Sequence, residues 1–365
     1  MRIAVVGPGH PQKGGVALHT TELARRLDLA GHAVAHVAWK HPYPRLLYPG
    51  ELELAGPPEL ATPVTPRRDL TWASPLGWSR VGRAVARGDR AVLVHVTPAQ
   101  APALIVIADR CRAAGVPVTV VAHNVEPHES RPGDRALTGL LLRRADRVVV
   151  HTESEREAAT SLGGHDVRRV ALGAALPDAV RDLRGTAPAR SSPRLRLVVP
   201  GIVRHYKGID LLIQALADVP DAELLVAGEF WVPPETLRAL ARASGVDDRV
   251  VLRPGYLPAP QLVEMVVGSD VVVLPYRSGT GSQNAELARA LGRPVVASRV
   301  GGLASDVRDG VDGLLVTPGD VGELARTLRS LSDERLVSRL SAAARTRAGT
   351  DTDLTWRRYL EAVAG

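Results

Sequence analysis

The chain has 365 residues, 45% hydrophobic, 23% charged and 3% aromatic, and its 46 Lys+Arg against 39 Asp+Glu leave a net charge of +7. That length accommodates two domains with separate cores, and the balance of apolar to charged residues excludes a disordered or fibrous chain. Cys111 is the sole cysteine, which excludes a disulfide framework and a cysteine metal cluster, while arginines scattered among Ala, Gly and Asp with few aromatics argue against a nucleic-acid partner.

Residues 3–6 read as a first strand, stopped by Gly7-Pro8-Gly9. This opening lacks a signal-peptide pattern and no apolar run reaches membrane-spanning length, so the expected compartment is the cytoplasm, with peripheral membrane contact left open. Lys13-Gly14-Gly15 precede a helix carrying Leu18, Leu23, Ala24 and Leu27 at helical spacing. Paired glycines there either let backbone approach a ligand or make a plain strand–helix turn. Residues 33–38 form a second strand. Trp39 to Arg45 follow, with prolines and Trp39, Tyr43 and Tyr48 beside His and Arg; the prolines predict a loop. Residues 51–90 show little periodicity.

Residues 92–96 are a strand and 104–114 a helix. The strand 116–122 ends in His123-Asn124-Val125-Glu126. Titratable groups just past the C-terminal end of a parallel strand stand where open α/β sheets bind ligands. A helix over 137–144, a strand over 147–150, a capping box from Thr152 to Glu155, and a strand over 167–172 close the first half. Residues 173–193 are rich in Gly, Pro and Ser and read as a linker.

The second half alternates strands at 195–200, 223–227, 249–252, 270–274, 294–297 and 313–316 with helices at about 208–218, 234–244, 259–268 and 283–291. That alternation predicts a parallel sheet wound on both faces. Its first strand runs into Pro200-Gly201 and then Arg204, His205 and Lys207 before a helix. Two cations at a strand–helix junction form a site for a phosphate or diphosphate. Only Lys13, Lys40 and Lys207 among the 46 basic residues are lysines, and a slim point charge suits a phosphate at close quarters. A second loop, Pro275 to Asn284, is rich in Gly and hydroxyls and leads straight into a helix. It predicts an anion cradle of backbone N–H groups. Asn284 is the expected cap of that helix, with Glu286 in its first turn.

Taken together, Gly14-Gly15, His123, Gly201 to Lys207-Gly208, Gly255-Tyr256, and Gly279 through the run GRPVVASRVGG at 292–302 resemble the large retaining family of GT-B nucleotide-sugar glycosyltransferases, glycosyl transferases group 1, which includes bacterial mannosyl- and N-acetylglucosaminyl-transferases. The resemblance implies an α/β fold of two facing Rossmann-like domains with parallel sheets. The acceptor-side domain spans residues 1–175, the donor-binding domain 194–345, and a helical tail over 346–365 packs back on the first. The resemblance assigns catalysis to His123, Arg204 and Lys207. It assigns the donor to Gly15, Gly201, Arg204, Lys207, Glu229, Tyr256, Gly281, Ser282, Gln283, Asn284 and Glu286, and the acceptor to Gly14, Asn124 and Glu126.

No metal or cofactor is implied; a nucleoside-diphosphate sugar is the co-substrate, and the acceptor is a carbohydrate, lipid-linked or small-molecule hydroxyl. The family carries Arg directly after the glycine matched by Gly201, where this chain has Ile202 and reaches in with Arg204. It also carries two glutamates spaced eight apart, at places that fall here on Gly279 and Leu287, with Glu286 one residue away. Another GT-B enzyme, such as an epimerase, and a non-catalytic sugar-nucleotide-binding protein are the competing readings.

Overall fold

The computed structural model describes residues 1–44, 52–54, 56–126, 131–183, 193–279 and 282–365. The chain divides into two compact units: Met1–Ala175 with Asp353–Gly365, and Leu176–Thr352.

The first unit holds a seven-stranded sheet in the order β3-β2-β1-β4-β5-β6-β7. Its strands are β1 (Arg2–Val6), β2 (Ala33–His41), β3 (Arg67–Thr71), β4 (Arg90–His95), β5 (Val118–Ala122), β6 (Arg147–Val150) and β7 (Val167–Arg169). All are paired in parallel. Apolar residues alternate between its two faces, as the two-residue period of a strand requires. Ala4 and Val6 pack with Val120, Leu104 and Ile107 on one side, and Ile3 and Val5 pack with Leu23, Leu27 and Tyr359 on the other. The strands run Val upon Val because both faces are covered. The covering helices include α1 (Gly15–Leu29), α2 (Pro75–Val85), α3 (Ala101–Ala113), α4 (Asp134–Leu142) and α5 (Glu153–Ser161).

The second unit holds a six-stranded sheet in the order β10-β9-β8-β11-β12-β13, again wholly parallel. Its elements are β8 (Leu195–Pro200), α6 (Ile209–Leu216), β9 (Ala222–Gly228), α7 (Pro234–Ala243), β10 (Val250–Pro254), α8 (Ala259–Val267), β11 (Val271–Leu274), α9 (Gln283–Ala290), β12 (Val295–Ser298), α10 (Leu303–Asp306), β13 (Gly313–Val316) and α11 (Val321–Ser330). Each sheet grows outward from its first strand in both directions. The order therefore reverses beside β1 and β4 in one unit and beside β8 and β11 in the other, where such sheets bind ligands.

Three expectations are corrected, and the expected helical tail proves to be part of a longer helix. The second strand runs through Trp39 to His41. Trp39 is fully buried on the face shared with Leu70 and Leu93, so its burial continues the strand where the prolines predicted a loop. The stretch read as aperiodic contains β3 and α2. The 173–193 linker is not uniformly a linker, because Val180 is buried in the second unit's core. The tail expected over 346–365 is the end of one helix, α12 (Glu334–Ala364). Trp356, Tyr359 and Val363 of α12 pack into the first unit beside Ile3 and Val5, and Trp356 Nε1 donates to Ala174 O at 2.9 Å.

Candidate functional site

In the second unit the site is built at the reversal between β8 and β11. Gly201 leaves β8 at φ 90° and Gly228 leaves β9 at φ 148°. A Cβ on Gly228 would lie 2.0 Å from Gly201 O, so the two strand exits touch backbone to backbone and only glycine fits. Beyond Gly201, His205–Lys207 form a single 3-10 turn. Gly208, at φ 66°, starts α6, and a Cβ there would lie 2.0 Å from Pro275 O. The cationic turn thus sits directly on the exit of β11.

Arg277 ties the two exits together. Its guanidinium donates to both carboxylate oxygens of Asp210 at 2.8 and 2.6 Å and to His205 O at 3.0 Å, and its backbone N donates to Tyr206 O at 2.7 Å. Lys207 is held inside this knot, 7% exposed, with Nζ 5.4 Å from the centre of the Tyr276 ring. Among the described residues no carboxylate pairs with it. Burial pulls its ammonium below the usual lysine range, with Tyr206 opposing and Arg204 adding to the shift. Tyr276 in turn places its hydroxyl 3.2 Å from Ser282 Oγ.

Ser282, not Asn284, caps α9: its Oγ accepts from Asn284 N at 3.3 Å. Asn284 already lies in the first turn, and its amide instead donates to Pro200 O at 2.8 Å. The predicted cradle of N–H groups at Ser282, Gln283 and Asn284 is therefore locked against the end of β8. Gly281 lies outside the described residues. Arg204 stacks its guanidinium 3.7 Å from the Trp231 ring centre, and Trp231 Nε1 donates to Glu229 at 3.2 Å. Glu229, expected at the donor, thus orients the aromatic platform that carries Arg204. Tyr256 follows Gly255, whose N donates to Gly228 O at 2.8 Å. Glu286 pairs with Arg289 one turn on, and Arg289 also donates to Asp306 O at 3.2 Å. Burial, with Glu286 adding, raises the Asp306 carboxyl to about 7.

In the first unit, Gly14 (φ 101°) and Gly15 open α1 and are exposed. His123 is buried and its backbone N donates to His95 O at 3.0 Å. Its ring lies 5.1 Å from His19 and 4.9 Å from His151. His19 stacks on Trp356 at 5.0 Å, and Tyr359 lies 5.1 Å from His19 and 5.9 Å from His151. Burial holds all three imidazoles below the usual histidine range, His151 at about 4, so they are neutral at neutral pH. Glu155 accepts from His151 N and Thr152 Oγ1, each at 3.3 Å, and burial raises its carboxyl to about 7. Asn124 donates to Val96 O at 3.3 Å. Glu126 points outward and pairs with Arg135, so it stands apart from this cluster.

The sequence reading missed His19, Tyr359 and Trp356 around His123, and Tyr276, Arg277, Asp210 and Trp231 around Lys207. One signal for the first set was present: three successive strands, β4, β5 and β6, each run into a histidine, as VLVH, VVAH and VVVH.

Comparison with known proteins bears on this geometry. Residues 194–334 match the model of the glycosyl transferases group 1, and residues 14–175 match that of the glycosyl transferase 4-like domain. The chain is 30% identical over 371 residues to a protein of Catenulispora acidiphila named D-inositol 3-phosphate glycosyltransferase 1, covering 90% of this chain and 84% of that one. The chain belongs to the group 1 glycosyl transferases.

A relative of the same name from Mycobacterium sp. strain KMS is 38% identical over 197 residues, which is 51% of this chain and 45% of that protein; matches of this kind span about half of the curated relatives' own length. Among solved structures, Anabaena HepE in complex with UDP and glucose superposes with a TM-score of 0.76 at 20% identity, covering 99% of this chain and 98% of that one. Sucrose-phosphate synthase from Thermosynechococcus elongatus gives 0.71 at 18% identity, covering 99% and 100%. The fold of this family member is GT-B.

Proposed function

We propose that this group 1 member transfers a sugar from a nucleoside-diphosphate sugar to an acceptor hydroxyl, with retention of anomeric configuration and without a metal ion or cofactor, in the cytoplasm. The observation that carries the reading is Lys207. An ammonium buried without a carboxylate is costly, and it stands beside Arg204 and, through the Tyr276 ring, near the cap of α9 at the topological switch of the sheet. A diphosphate anion is the ligand that would satisfy all three. As the glycosidic bond breaks, charge gathers on the departing diphosphate oxygen. Lys207, Arg204 and the N–H groups that open α9 would stabilise that charge. The acceptor hydroxyl attacks the anomeric carbon from the face the diphosphate leaves, and the proton of the hydroxyl goes with the departing oxygen. His123, neutral and backed by His19 and His151, would orient the sugar or the acceptor by a hydrogen bond.

The neighbours direct the choice of substrates. The HepE structure contains UDP, which puts UDP-sugars first among donors, and the relatives are named for D-inositol 3-phosphate, which puts a phosphorylated cyclitol first among acceptors. The test is nucleoside diphosphate release from a panel of donors with and without acceptor, in EDTA, with the product's anomeric configuration read by NMR. Release with a retained anomer supports the reading. An inverted product refutes retention, rescue by Mg²⁺ refutes metal independence, and donor binding with no turnover on any acceptor favours a binding protein.

A further inference from the structure

Beyond the close contact of Gly201 and Gly228, the chains leaving β8 and β9 stay in register for one more rung. Val203 bridges Phe230 in parallel. Val203 N donates to Glu229 O at 2.8 Å, and Trp231 N donates to Val203 O at 2.9 Å. Side chains alternate along such a rung. Val203 is buried and Phe230 packs against the same core, so Glu229, Trp231 and Arg204 share the opposite face. There the Arg204 guanidinium lies 3.7 Å from the Trp231 ring centre, and both side chains are half-buried.

An arginine close to a carboxylate ordinarily takes it bidentately. Glu229 makes no such pair here: its Oε1 accepts from Trp231 Nε1 at 3.2 Å. Among the described residues Arg204 has no ion pair and no hydrogen-bond acceptor, and the indole face is what holds it. A guanidinium stacked on a ring keeps its N–H donors, which lie in its own plane, open to an anion.

We propose that Trp231 is a positioning residue of the donor site: its ring face holds Arg204 and its indole N–H occupies Glu229, so that the guanidinium meets the donor diphosphate unpaired. The inference rests on the nucleoside-diphosphate chemistry proposed for this site. Held in this way, Arg204 binds the anion without first losing rotamer freedom or shedding a carboxylate.

The experiment is calorimetric titration of the full chain with UDP, GDP and ADP, continued in the variants with whichever binds. Trp231→Leu frees a rotamer-rich arginine and releases Glu229 to pair with it, so affinity should fall at least about 3- to 10-fold. Trp231→Phe keeps a ring face without the N–H and should lose less. Trp231→Leu/Glu229→Gln should recover part of the loss, because the released side chain no longer carries a charge; a merely structural indole predicts no recovery. In the Arg204→Ala chain, Trp231→Leu should cost no further affinity, since the two residues act as one unit. Should Trp231→Leu fail to fold, the same comparisons are read from Trp231→Phe. Parent-like affinity in the Trp231 variants would overturn the inference. So would an undiminished loss in the Arg204→Ala chain, or a double variant with Glu229→Gln no better than its Trp231 single. A parent that binds none of the three nucleotides would overturn the donor reading itself and this inference with it, an outcome distinct from a parent that binds one as tightly as its Trp231 variants do.

Discussion

Replacing Lys207 with methionine should make the free protein more stable while abolishing turnover. Methionine keeps the length and apolar body of the lysine stem, so the packing around Tyr276 survives. What disappears is a buried ammonium with no described carboxylate beside it. Burying such a charge costs several kcal/mol after relaxation, and the Tyr276 ring 5.4 Å away returns about 1–2 kcal/mol. The balance is a gain of about 1–3 kcal/mol, at about 2–4 °C per kcal/mol for a unit of this size. The sign has a pH signature. Folding lowers the lysine pKa from its ordinary 10.5, so below that value the unfolded chain binds the proton more tightly, and parent stability rises with pH towards 10.5. Scanning calorimetry of both chains at neutral pH and at about pH 10 should therefore show a gap that closes. Turnover should fall at least about 10²- to 10³-fold, the usual cost of one group stabilising developing charge. A Lys207→Met chain less stable than its parent, or a gap indifferent to pH, would refute the picture of an unpaired buried cation.

Three further outcomes follow from the same geometry. Asp210→Asn should loosen the cationic turn: the pair is bidentate but each side chain is 29% exposed, so the loss is about 1–2 kcal/mol, accompanied by weaker nucleoside diphosphate binding by calorimetry; no change in either measurement would remove Arg277 as the tie. Acid should destabilise the first unit, because His19, His123 and His151 stay neutral in the fold while the unfolded chain takes up protons below 6.5. Each such histidine costs about 1.4 kcal/mol per pH unit, and Glu155, raised to about 7, offsets one of them by gaining stability as pH falls from there towards 4.5, so a melting temperature that stays flat or rises below pH 6.5 contradicts the cluster. Glu286→Gln should lower stability by about 1–3 kcal/mol, since both members of its pair with Arg289 are 12% exposed, and should leave nucleoside diphosphate affinity unchanged; weakened affinity would instead assign Glu286 to the ribose hydroxyls.

Much of the architecture is written locally. The six strands of the second unit fall within one or two residues of their expected places, because buried parallel strands are short Val/Leu runs cut by Gly and Pro. The Arg204–Lys207 turn is equally legible, since a strand stop, two cations and a helix start are neighbours in the chain. The misses share a physical origin. α2 buries only Val81, Gly82 and Val85, with Trp78 partly covered, and keeps arginines elsewhere, so its periodicity is thin until the core it packs against is known. Trp39 reads as loop beside its prolines and becomes strand only because β3 and β4 supply a face to bury it.

The partners that define each site were beyond any local reading. Arg277 meets Asp210 across 67 residues, and Trp356 meets His19 only after α12 returns to the first unit. Composition and periodicity determine that strands alternate with helices and that cations end a strand. Which strand exits lie side by side depends on the order in which the sheet assembles. That order places β11 against β8, and it decides that Lys207 is buried against Tyr276 and not left in solvent.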